Sequence, residues 1–206
     1  MNLENQQPIN DCQNGSFKAF GAFFWDLLKI FIIALVIIVP FRMFIAEPFV
    51  VSGSSMVPNF HNGDYLIVDR LTYHFSQPQR GDVIVLRFPK DTSQFFIKRI
   101  IGLPGETICF PQGHVLISPK PITADQCRQG DGTVLDEPYL PSQMETLANA
   151  DPVTLGSGEY FVLGDNRMAS SDSRIWGILP VNDIVGRVFV RVIPFSSAQL
   201  FHPVSY

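Results

Sequence analysis

The stretch Gln94-Phe95-Phe96-Ile97-Lys98-Arg99-Ile100-Ile101 decides the fold class. Five of these eight residues are aromatic or β-branched, and helix-favouring Ala and Leu are absent, so the run predicts a strand. Side chains alternate across a strand, which sets Phe96, Lys98 and Ile100 on one face and Ile97, Arg99 and Ile101 on the other. An amine between Phe96 and Ile100 sits in apolar surroundings. Arg99, always charged, suits an ion pair rather than proton transfer. Outward from this stretch the same texture returns at Tyr65 to Arg70, Asp82 to Phe88, His114 to Ser118, Glu159 to Leu163 and Ile184 to Ile193. These runs are rich in Val, Ile and Phe and punctuated by Gly and Pro, so the body is expected to be mainly β. From Pro119 to Gly158 the composition shifts to Pro, Gln, Asp and Gly, which predicts a smaller inserted subdomain at about 108–158.

Upstream, Leu27 to Ile45 reads LLKIFIIALVIIVPFRMFI, 19 residues that would rise ~28 Å as a helix, close to the thickness of a bilayer's hydrocarbon core. Lys29 and Arg42 lie near opposite ends, where long side chains can snorkel, and Trp25 sits where an interfacial aromatic belongs. Phe44-Ile45-Ala46 lacks the small-x-small ending of a cleaved leader, so an uncleaved transmembrane anchor at 27–45 is expected. Residues 1–16, rich in Asn and Gln, read as a flexible tail within a juxtamembrane segment reaching 26. Charged residues make up 17% of the 206, below the roughly 25% of soluble domains, and the net charge is -4. No basic stripe is left for a phosphate backbone, which excludes nucleic acid as an expected partner.

Catalytic chemistry has few carriers here. His61, His74, His114 and His202 form no triad signature, and neither a GxSxG elbow nor an HExxH helix occurs. No CxxC pair or other zinc-ligand spacing is present, and no cofactor is expected. Phe49-Val50-Val51-Ser52-Gly53-Ser54-Ser55-Met56-Val57-Pro58 is a strand breaking into small hydroxyl residues, a turn able to present a serine. A lysine can activate a serine only when neutral, and an ordinary lysine with pKa near 10.4 is neutral about once per thousand at pH 7.4. Desolvation must therefore destabilise its charged form by ~3–5 kcal/mol. Lys98 has neighbours that could do so. Cys109 and Cys127 are separated by turn residues and could either bridge or stay free thiols, both readings remaining open.

Four segments, in order, resemble the motif boxes of bacterial type I signal peptidases: GSSMVP around Ser55, GDVIVLRFP from Gly81 to Pro89, FIKRIIGLPGE from Phe96 to Glu106, and GDNRMASSDSRIWG from Gly164 to Gly177. The resemblance implies an N-terminal transmembrane helix followed by an antiparallel β-sheet catalytic domain at 46–206 on the extracytoplasmic side of the cell membrane. It implies Ser55 as nucleophile and Lys98 as general base, Ser170 as the hydroxyl that orients the amine, and Asp172 and Arg174 as a supporting pair that Arg99 can join. The implied substrates are signal peptides of exported preproteins, cut after small residues at the first and third positions before the bond. Val51, Met56, Phe60, Phe96 and Ile97 are the expected pocket walls, and membrane lipid is the other expected partner. Two departures stand out. Gly53 occupies the position where enzymes of Gram-negative type often carry a second serine, and Met168-Ala169 replaces the commoner Asp-Asn. A self-cleaving Ser-Lys repressor protease lacks the anchor, and a noncatalytic membrane-tethered β-domain would not need both Ser55 and Lys98.

Overall fold

The structure is a computed structural model that describes residues 12–40, 46–141, 145–146 and 151–201. Helix α1 (Cys12–Pro40) begins inside the stretch expected to be tail and continues through the first part of the apolar segment. Leu27, Ile30, Phe31, Ile33, Val36 and Ile37 all present exposed side chains. Among the described residues, no helix is long and apolar enough to cross a membrane. The rest of the anchor expected at 27–45, with Arg42, lies outside the described residues, as do the tail's first 11 residues and His202.

Residues 45–206 form a separate compact unit. In chain order its strands are β1 (Ala46–Val50), β2 (Tyr65–Asp69), β3 (Val83–Phe88), β4 (Asp91–Gly102), β5 (Thr107–Cys109), β6 (Leu116–Ser118), β7 (Thr133–Val134), β8 (Val153–Thr154), β9 (Glu159–Leu163), β10 (Leu179–Pro180), β11 (Ile184–Ile193) and β12 (Gln199–Leu200). Two short helices, α2 (Ala124–Gln129) and α3 (Ser173–Trp176), interrupt them. The larger sheet runs β1-β2-β11-β3-β4-β9-β10, with β12 added to β11, and its pairings are antiparallel. Strand β4, 12 residues, is its longest member, and the strand-favouring residues from Phe95 to Ile101 form its centre. Its alternation sorts the core as expected. Ile97 joins Val51, Met56, Phe60, Val83 and Val85 in one apolar cluster, while Ile100 and Phe96 join Ile84, Leu86, Tyr160 and Trp176 in another.

The second sheet, β7-β6-β5-β8, lies within the insertion expected at about 108–158, with β7 and β8 in its Pro- and Asp-rich part and β5 and β6 just before it. Its strands are only 2 or 3 residues long; β6 falls within the run His114 to Ser118 expected as a strand, and the other three are too short for propensity to announce them. Cys109 and Cys127 are joined by a disulfide with their Cα atoms 6.4 Å apart, which ties α2 to β5. Of the two readings open in the sequence, the bridge is the one the structure holds. Where β4 leads toward β5, a Cβ on Gly102 would stand 2.3 Å from Ile108 Cδ1, so only glycine permits this close approach.

Candidate active site

Ser55 is presented by the turn that follows β1. Val51 N donates to Asp64 O at 2.9 Å and Gly63 N returns a bond to Val51 O at 2.9 Å, closing a loop of small residues. Gly53 holds φ at +96°, a conformation a β-carbon would strain, and its amide donates to Asn62 Oδ1 at 3.0 Å. The serine of Gram-negative type is therefore disfavoured at position 53 by the backbone itself. Met56 and Phe60, 1% and 0% exposed, anchor the turn in the core; they do not line the cleft expected of them.

Opposite the turn, β4 delivers Lys98, paired in register with Ile84 of β3. The side chain is 3% exposed, and Nζ lies 5.3 Å from the centroid of the Phe96 ring. Lys98 Nζ donates to Ser55 Oγ at 2.9 Å and to Ile97 O at 2.8 Å. Burial lowers the pKa of the amine to about 8, against a partial counter-pull from the Asp172 and Asp165 carboxylates. Ser55 and Lys98 face an open cleft of about 280 Å³ whose walls include Val51, Phe96, Ile97 and Ala169. Phe96 and Ile97 sit on opposite faces yet both border the cleft. The reason is the free edge of β4: β9 pairs with it only from Arg99 onward, leaving Phe95 to Ile97 without a described neighbour on that side.

The loop Gly164 to Asp172 closes the site from behind. Asn166 N donates to Ser55 O at 2.9 Å and Asn166 Nδ2 to Ser54 O at 3.1 Å. A Cβ on Gly164 would meet Ser170 Oγ at 2.2 Å and Ser55 O at 2.5 Å, so this glycine sets the distance between loop and turn. The Ser170 hydroxyl is buried and makes no hydrogen bond to Lys98, whose bonds go to Ser55 and Ile97; it lies close enough to Asp172 to favour that carboxylate's ionised form. Asp172 accepts from Gly164 N at 3.0 Å and from Arg174 Nε and Nη2, both at 2.8 Å. Burial pushes its pKa up, but these bonds outweigh burial and hold it below the usual carboxylate value. Arg99 does not join that pair. Its fork grips Asp165 instead, Nε to Oδ1 at 2.8 Å and Nη2 to Oδ2 at 2.7 Å, because alternation turns it to the face away from Lys98. Met168 is 70% exposed and Ala169 lines the cleft, so the departure from Asp-Asn falls at the surface and the cleft wall.

Sequence reasoning passed over Asp165, Asn166 and Arg167, although all three stand in the quoted fourth box, and also Asn59, Glu137 and Tyr139. A polar residue's partner two strands away leaves no local periodicity to read.

A serine hydroxyl in contact with a buried amine, on an antiparallel sheet beside an open cleft, has the geometry of a Ser-Lys hydrolase. Comparison with known proteins is specific about the lineage. Residues 24–193 match the family described as "Signal peptidase, peptidase S26", and the chain belongs to it. It is 36% identical over 193 residues to "Probable signal peptidase I-1" of Synechocystis sp., covering 89% of this chain and 90% of that one. It is also 33% identical over 206 residues to "Signal peptidase I" of Bacillus amyloliquefaciens, covering 95% and 97%. Among solved structures, a signal peptidase I from Enterococcus faecalis aligns with a TM-score of 0.42 at 29% identity, over 55% of this chain and 97% of that one.

Proposed function

We propose that this protein is a membrane-bound serine endopeptidase that removes N-terminal signal peptides from exported preproteins, cutting after small residues at the -1 and -3 positions. The observation that carries the proposal is the 2.9 Å contact between Lys98 Nζ and Ser55 Oγ with the amine almost wholly out of water. Ser55 Oγ attacks the scissile carbonyl while neutral Lys98 takes its proton, forming the C–O bond of a tetrahedral intermediate. Lys98 then passes the proton to the leaving amine as the C–N bond breaks and an acyl-enzyme remains. The same amine next removes a proton from water, whose oxygen attacks the ester, and returns it to Ser55 Oγ as the ester C–O bond breaks and the carboxyl product leaves. The Ser55 amide donates to no described residue and can hold the oxyanion.

Small side chains at -1 and -3 suit a cleft walled by Val51, Phe96 and Ile97. The free edge of β4 from Phe95 to Ile97 suits a substrate added as a strand, with main-chain bonds setting the register. Asp172 and Arg174 brace the loop behind Lys98, and Ser170, buried on the same loop, is the hydroxyl proposed to orient the amine. The domains follow as a juxtamembrane segment at 1–26, a single-pass anchor at 27–45 and an extracytoplasmic peptidase domain at 46–206. The exposed apolar side chains of α1 and the Cys109–Cys127 disulfide, suited to an oxidising compartment, support that arrangement in the cell membrane.

The test is cleavage of a signal-peptide substrate by the purified full-length protein in detergent. Wild type should cut at the small-x-small site, while Ser55→Ala and Lys98→Met, both folded by circular dichroism, should lose at least ~10³-fold in kcat. Full activity in either variant overturns the assignment of the pair.

A further inference from the structure

We infer that the short insertion segment Glu137 to Tyr139 is a positioning element of the peptidase site, holding in place the turn, the strand and the loop that carry its chemistry. The inference rests on the proposed function above. Three contacts carry it. The Glu137 carboxylate takes both arms of Arg167, Nη1 to Oε2 at 2.9 Å and Nη2 to Oε1 at 2.5 Å. Arg167 in turn donates from Nε to Gly164 O at 3.0 Å, immediately before the Asp165-Asn166 pair that touches Ser55. The Tyr139 ring packs against the Arg99 guanidinium, 4.0 Å from ring centroid to Cζ, on the residue next to Lys98. Finally, Tyr139 O accepts from Asn59 Nδ2 at 2.9 Å, four residues beyond the nucleophile, and the same Asn59 amide reaches Asp165 Oδ2 at 2.8 Å. One segment thus meets the nucleophile turn, the base strand and the supporting loop.

The contacts lie in a shielded electrostatic group. Arg99 and Asp165 have side chains 6% and 0% exposed, Arg167 and Glu137 0% and 13%. Two guanidinium groups against two carboxylates leave no net charge, but removing one member strands a buried charge that must move toward water or a new partner. Tyr139 Oη also donates to Glu137 Oε1 at 2.6 Å, and Thr146 Oγ1 accepts from Arg167 Nη1, so Glu137 and Arg167 are each braced a second time. None of these groups borders the substrate cleft. Glu137, Tyr139 and Arg167 therefore act through Gly164 and Asn166 on Ser55, and loss of either contact is expected to change turnover and not substrate binding. A misplacement of the nucleophile by ~1 Å can cost on the order of 100-fold in rate.

The experiment measures kcat and KM for full-length wild type and variants on one signal-peptide substrate, with active sites counted by a serine-acylating probe. Glu137→Gln should lower kcat per active site roughly 10- to 100-fold with KM within about twofold of wild type. Tyr139→Phe keeps the ring on Arg99, removes only the hydroxyl, and should lower kcat about two- to fivefold, again at constant KM. Glu106→Gln breaks the comparably shielded Arg80 pair, away from the cleft, and should keep wild-type kcat while lowering Tm. In the Glu137→Gln/Arg167→Gln double variant the kcat losses should fall well short of multiplying, as for two groups acting as one unit. Unchanged kcat in Glu137→Gln, or an equal fall in Glu106→Gln, overturns the inference while leaving the proposed function intact. If Glu137→Gln does not fold, Tyr139→Phe decides in the same way. A wild type that cleaves nothing overturns both.

Discussion

Lys98 concentrates the conflict between stability and chemistry in one side chain. Burial moves its pKa from an ordinary 10.5 to about 8, which makes the neutral base available at a cost of about 3 kcal/mol of folding free energy while the amine is charged. Cleavage is therefore expected to rise about tenfold per pH unit below pH 7 and to level off above pH 8, as read from kcat/KM between pH 6 and 10. A flat profile over that range would refute the base assignment. The sign for stability follows from proton binding. Below pH 8 both folded and unfolded chains hold the proton and the full cost stands; between about 8 and 10.5 only the unfolded chain holds it, so rising pH relieves the cost. Lys98→Met should consequently be inactive yet more stable, with a Tm gain largest below pH 8 and shrinking toward pH 10.5 in thermal scans. The apolar setting of Lys98 was legible in FFIKRII, because alternation alone sets Phe96 and Ile100 beside it. Its distance to Ser55, 43 residues away in the chain, was not.

At the scale of elements, β4 sends Lys98 to one face and Arg99 to the other, so one strand supplies both the base and the salt bridge that braces the site from behind. Asp165→Asn would leave Arg99 buried beside a neutral amide and should cost ~3–5 kcal/mol, measured by urea denaturation. Gly164→Ala carries a different expectation, since the new methyl would meet Ser170 Oγ and Ser55 O at contact distances of 2.2 Å and 2.5 Å. The turn must retreat, and kcat should fall by on the order of 100-fold with a smaller change in Tm. The long strands were readable from hydrophobic runs, but β7, β8, β10 and β12 have 2 residues each and exist only through their partners. Pocket walls illustrate the same divide. Met56 and Phe60 follow the nucleophile in sequence, yet their bulk is better buried under the turn than spent on a cleft.

For the whole molecule, the small sheet matters because the segment bearing Glu137 hangs from it and from the loops it clasps. Replacing Cys109 and Cys127 together by serine opens a loop with a sequence separation of 18 and should cost ~3 kcal/mol, seen as a lower Tm that reductant no longer shifts. Removing residues 1–44, which form a unit of their own, should leave a folded, active peptidase that no longer sediments with membranes. Retention in the pellet would point to anchorage elsewhere. By itself the sequence determined the mainly β class, the apolar N-terminal segment, the faces of β4, and the family through four ordered boxes. These are properties of neighbours in the chain: side-chain period, runs of hydrophobicity, and motifs of fixed spacing. Only the tertiary structure decided that Ser55 meets Lys98, that Arg99 holds Asp165 and not Asp172, that Cys109 and Cys127 bridge, and that Glu137 grips Arg167. Each of these joins residues distant in sequence, where the pairing depends on which strands lie side by side, and hydrogen-bond and charge geometry acts only once the sheet has brought the groups within about 3 Å.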